Sequence, residues 1–163
     1  MAKIGASYFE TMARALPGQV SDTSAYNIDG ACVLEKDDGV PIFVGVAVKL
    51  KGVDSMGNKI INAISSAGDN PYGVAVRSHF QTTTNDGRMV YEAGGGINVM
   101  TEGRCWMIAA DESAPEYGKP IKIKHENGIV DTSTGDIATN WVATGDYTKF
   151  GDLKLVEVQV LPS

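Results

Sequence analysis

The sequence predicts a mainly β protein, an antiparallel β-sandwich or partly open barrel of short strands, preceded by an N-terminal arm carrying one short helix. Three observations predict it. From Ala31 onward the apolar residues alternate with period two, as in strands with one buried face. Glycine or Asn/Asp clusters recur between these runs, and nineteen of the 163 residues are glycine, above the usage of about 7% in ordinary domains. No helical periodicity separates the runs, which disfavours a parallel α/β fold.

The arm comes first. Ile4, Tyr8, Met12 and Leu16 stand at i+4 spacing and form one apolar stripe on a helix. Ser7 and Glu10 make a capping box, and Pro17-Gly18 stops the helix. A helix of about nine residues is marginal alone and needs a surface to dock on, either its own domain or a neighbour. Residues 19–30 are polar and aperiodic, an extended arm. The chain therefore divides into an arm, residues 1–30, and one β-rich domain, residues 31–163.

The first long strand covers residues 42–50, with Ile42, Val44, Val46, Val48 and Leu50 on one face. Phe43, Gly45, Ala47 and Lys49 occupy the other, which Gly45 leaves open to close approach. Residues 73–80, 88–93, 97–100, 104–109 and 119–124 repeat the theme. Asp69-Asn70-Pro71, Asn85-Asp86-Gly87, Gly94-Gly95-Gly96, Glu102-Gly103 and Asn127-Gly128 separate them as turns. The last strand, 153–161, changes phase from Leu153 and Leu155 to Val156, Val158 and Val160, which predicts a β-bulge or a bend near Leu155. Residues 131–151 form the longest stretch without a regular element, a contact loop holding Trp141 and Tyr147.

Composition excludes several functions. Fourteen Lys and Arg against twenty Asp and Glu give a net charge of −6, which repels a phosphate backbone, so nucleic acid is not expected as a partner. Lys119, Lys122 and Lys124 with His125 read as the solvated face of one strand. No run approaches the ~20 apolar residues of a membrane helix, and no export signal is visible, so synthesis in the cytoplasm and no membrane partner are expected. Cys32 and Cys105, without CxxC spacing and among apolar neighbours, read as buried reduced thiols.

No catalytic, cofactor-binding or metal-ligating residues are expected. A nucleophile needs a base within hydrogen-bond reach, and His79 and His125 both read as surface residues. Asp111-Glu112 with Glu116 reads as solvated charge in a loop. Gly94-Gly95-Gly96 lacks the Lys-Ser/Thr of a phosphate cradle, and Asp29-Gly30 and Lys36-Asp37-Asp38-Gly39 lack the spaced ligands of a calcium loop.

The order of elements resembles a known family. Pro17-Gly18-Gln19-Val20-Ser21-Asp22, then Ile42-Phe43-Val44-Gly45-Val46-Ala47-Val48, then Tyr72-Gly73-Val74-Ala75-Val76 resemble the decoration, or cement, proteins encoded beside the major capsid protein of tailed phages. Gly96-Ile97-Asn98-Val99-Met100, Thr101-Glu102-Gly103-Arg104-Cys105-Trp106, Gly118-Lys119-Pro120-Ile121 and Val156-Glu157-Val158-Gln159-Val160 continue the likeness, over residues 15–161. The resemblance implies a non-enzymatic protein on the capsid exterior of the virion. It implies the major capsid protein as partner, self-association as a homotrimer, and a role in holding neighbouring capsid subunits together. Tyr8, Phe9, Met12, Leu16, Trp141 and Tyr147 are then the expected interface residues. Two other roles fit such a chain: a tail-tube or head-completion subunit, and a carbohydrate-binding module that stacks sugars on Trp141 and Tyr147.

Overall fold

The computed structural model describes residues 14–78, 82–84 and 88–162. Eleven strands follow one another: β1 (Asn27–Leu34), β2 (Ile42–Phe43), β3 (Ala47–Val53), β4 (Lys59–Ala63), β5 (Pro71–Ala75) and β6 (Thr82–Thr83), then β7 (Met89–Tyr91), β8 (Gly96–Ala109), β9 (Pro120–Ile123), β10 (Ile137–Phe150) and β11 (Leu153–Val160). The described residues contain no helix.

Five strands close on themselves in the order β1-β4-β3-β5-β8, and β8 pairs back onto β1. The fold is therefore a closed barrel with added strands, not a sandwich or an open barrel. Closure leaves none of these five strands as a free edge, the arrangement that removes exposed backbone donors and acceptors. All pairings around the ring are antiparallel except β1 with β4. The 14-residue β8 outruns this barrel, and its second half carries a further row, β11-β10-β9. Val130 bridges to Ile123 and to Ala109, lacing the far side of that row back to β8. A small sheet, β2-β7-β6, lies apart.

Two cores result. One holds Leu34, Val48, Ile61, Ile97 and Val99; the other holds Met107, Ile121, Ile123, Trp141, Val156 and Val158. Strand β5 lies between them, with Ala75 facing the first core, Val74 the second, and both fully buried. Gly73 makes this possible: a Cβ there would stand 2.3 Å from the Met100 carbonyl oxygen of β8.

The run over residues 42–50 is broken where one strand was expected. Gly45, with φ of +84°, turns the chain between β2 and β3. Its backbone is pressed against Gly18, so that a Cβ on Gly45 would meet the Gly18 nitrogen at 2.8 Å. The close approach expected at Gly45 is real, and its cause is the arm. Residues 18–21 lie along β8, with Gly18 N–H donating to the Trp106 carbonyl (2.8 Å) and Ser21 N–H to the Arg104 carbonyl (2.9 Å). Strand β1 likewise begins at Asn27, inside the segment expected as polar arm.

Other expectations shift too. Glu102-Gly103 does not separate two strands but lies within β8, and Asp29-Gly30 falls at an irregularity in β1. The phase change at Leu155 needs no bulge in β11, which pairs with β8 in unbroken register. Leu155 packs on Trp106 and Ala15 while Val156 enters the second core, so both faces are covered. The irregularity falls instead in the partner strand β10, between Ala143 and Tyr147. The expected N-terminal helix lies outside the described residues except for its end. Residues 14–16 are not helical: the Leu16 amide donates to Gln19 Oε1 (3.0 Å), not to a preceding turn.

Candidate functional site

The expected contact loop at residues 131–151 is largely strand β10. Ile137, Trp141 and Ala143 alternate into the second core, and Trp141 is only 2% exposed. Burial removes Trp141 from the candidate interface and from sugar stacking, because its ring has no free face. Tyr147 is half-buried against the same core, and its hydroxyl is buried without a hydrogen-bond partner. Leu16 lines a surface cleft. Tyr8, Phe9 and Met12 lie outside the described residues, as does His79.

That cleft, of about 490 Å³, opens where the arm meets the tips of several elements. Leu16, Pro17, Phe43, Met89, Ile108 and Phe150 are among the apolar residues that line it. Two cations stand in it. The Arg88 guanidinium lies 5.6 Å from the Phe43 ring centroid, a cation–π geometry. Arg77 is half-buried and pairs with no carboxylate among the described residues, and burial alone holds its pKa below the ordinary arginine value.

The most exposed apolar side chains lie elsewhere. Met56 (82% exposed) and Val53 sit at the β3–β4 hairpin, and Tyr117 (79% exposed) stands before β9. Asp54 sets the hairpin tip by accepting from the Met56 and Asn58 amides, both at 2.8 Å, and from Asn58 Nδ2 at 2.9 Å. These bonds hold the Asp54 carboxyl below its usual pKa, the Asn58 side chain contributing most. Sequence reading missed this feature. Its signal was present in Val53 and Met56 flanking Asp-Ser, apolar residues in a turn that composition would leave polar.

Three of the polar groups considered for catalysis, Asp111, Glu112 and His125, have structural partners. Asp111 accepts from the Thr132 amide and hydroxyl, whereas Glu112 pairs with Lys154, so the two acids serve different contacts. His125 pairs with Asp136. Lys124, on the strand expected to be a solvated basic face, pairs with buried Asp131 at 3.1 Å. Cys32 and Cys105 are free and buried, and burial pushes both thiols up to about 12. Among the described residues no group of three or more His, Cys, Asp or Glu could hold a metal ion.

Residues 4–161 match the family described as structural cement protein (E217 gp24/Pam3 gp6). No curated protein matches the sequence. In structure, the chain is similar to one in the assembly described as "The capsid of Myoviridae Phage XM1", with a TM-score of 0.69, 19% identity and 95% of each chain covered. At that identity the likeness shows a shared fold.

Proposed function

Because the chain belongs to the phage structural cement protein family, we propose that it decorates the outside of a tailed-phage head and stabilises the shell by bridging major capsid protein subunits. The observation that carries this reading is the family match over residues 4–161, nearly the whole chain. In this role the protein performs no reaction. It is made in the host cytoplasm, joins the virion exterior, and sits there as a homotrimer shared between subunits.

The physical basis is differential binding. A ligand that binds the assembled lattice better than separated subunits stabilises the lattice by mass action, to an extent set by occupancy. If each of many copies contributes only ~1 kcal/mol, the summed resistance to internal DNA pressure is still large. The closed barrel suits such a part, because it presents short loops on a body without free edges around its ring. The preset hairpin tip with Met56 and Val53 adds apolar contact area at little ordering cost, since Asp54 already fixes its backbone.

Particles assembled without this protein should form but release DNA at lower temperature than decorated ones. Adding the purified protein back should restore heat resistance in proportion to occupancy. Bare particles as heat-resistant as decorated ones would contradict the reading.

A further inference from the structure

The cleft lined by Leu16, Phe43, Ile108 and Phe150 holds a charge that the described chain does not answer. Arg77 is half-buried there and forms no ion pair with a carboxylate among the described residues, although Asp152 lines the same cleft. A guanidinium that is already partly desolvated has less hydration left to lose on meeting a carboxylate. The pair it then forms, charge-assisted and able to be bidentate, is among the stronger polar contacts.

The backbone that carries these side chains is tied down by the fold. The Arg77 amide donates to the Gly18 carbonyl (2.8 Å), which fixes the root of the arginine against the arm. Phe150 and Leu153 pair across the two-residue turn Gly151-Asp152, in which Gly151 takes a φ of +56°. Arg88 lies over the Phe43 ring, 5.6 Å from its centroid. A site with a preset backbone loses little conformational freedom when it is filled, and a volume of about 490 Å³ lies in the range of clefts that hold ligands.

The chemistry of the cleft selects its occupant. A free inorganic anion would answer Arg77 and leave the apolar lining wet. An apolar segment without an acid would bury Arg77 unpaired, which costs free energy. A stretch of polypeptide with an apolar side chain beside Asp or Glu meets both demands. We propose that the cleft receives such an acidic and apolar segment of the major capsid protein, with its carboxylate on Arg77 and its apolar side chain on Phe43, Ile108 and Phe150. This inference rests on the reading that the chain binds a phage shell, and it adds which face makes the contact and through what chemistry.

The test uses the full-length chain and particles assembled without it. Asp152→Cys puts one accessible thiol at the cleft, since Cys32 and Cys105 are buried, and it removes the acid that would oppose an incoming carboxylate. Labelled there with a short photo-crosslinker and bound to the particles, the protein should join on illumination to a major capsid protein peptide containing Asp or Glu, identified by mass spectrometry. Crosslinks confined to its own chain or to a second copy, or no crosslink from bound protein, overturn the inference and leave the shell-binding reading standing. Failure of the wild-type chain to bind the particles overturns both. Co-sedimentation with the particles supplies a second readout: Arg77→Glu should weaken binding by at least about thirtyfold. Arg77→Met, which keeps the apolar stem without the charge, should weaken it by about tenfold at an unchanged Tm, and it reports even if the charge reversal fails to fold. Binding unchanged in Arg77→Met also overturns the inference.

Discussion

Asp131 is buried at the start of the turn that follows Val130, and its contacts there favour the ionised form. Burial by itself would raise its pKa. The opposing contacts win: the amide of Thr134 (2.8 Å), the hydroxyls of Thr134 (2.7 Å) and Ser133 (2.8 Å), and the Lys124 ammonium together hold the carboxyl well below its usual range. A depressed folded pKa gives stability that is present above the unfolded value of about 3.9 and lost as pH falls below it. Asp131→Asn should therefore lower Tm at neutral pH and flatten the fall of Tm below about pH 4. Asp131→Ala should cost about 3 kcal/mol, because buried donors lose their acceptor; denaturant unfolding measures it. Cys32 and Cys105 give a second residue-scale prediction. With both thiols buried and pushed up to about 12, a thiol reagent at pH 8 should label neither until the protein unfolds. Their buried state was legible in the sequence from apolar neighbours alone. The place of Trp141 was not: among Thr, Gly and Asp it reads as a loop residue, and only the pairing of β10 with β9 and β11 turns it inward.

At the scale of elements, most strands with β-branched runs were legible, β4 excepted, and those built on Thr, Gly and Ala were not. Strand β10 illustrates the second kind, since its inward residues Ile137, Trp141 and Ala143 are diluted by polar outward ones, and the irregularity after Ala143 breaks the period. Strand β4 escaped notice although Lys59-Ile60-Ile61-Asn62-Ala63 carries the signal. The break at Gly45 was half legible: the sequence showed that something approaches Gly45, but a contact with Gly18 twenty-seven positions away cannot be read locally. Strand β5 yields the prediction at this scale. Because a Cβ on Gly73 would stand 2.3 Å from the Met100 carbonyl and 2.7 Å from Val99 Cγ1, Gly73→Ala must push β5 off β8. A loss of about 2–3 kcal/mol is expected from such overpacking, read as a lower denaturation midpoint. By contrast Met56→Ser, at the exposed hairpin tip, should change stability by less than about 0.5 kcal/mol.

For the whole molecule, the β class, the absence of alternating helices and the cement likeness were legible, while closure was not. Barrel closure rests on β1 pairing with both β4 and β8, contacts between residues far apart in sequence that periodicity does not encode. The same long-range pairing joins distant segments of the chain in one body, and membership of the phage structural cement protein family is the ground on which we propose a place for it on a phage head. The central claim is that it bridges capsid subunits there. Electron cryo-microscopy of purified virions, with mass spectrometry to establish the presence of this chain, tests the claim most directly. The account predicts density for the eleven-stranded body on the outer shell, at sites where each copy touches more than one major capsid protein subunit. Density confined to the tail or the portal, or copies each resting on a single subunit, would contradict it.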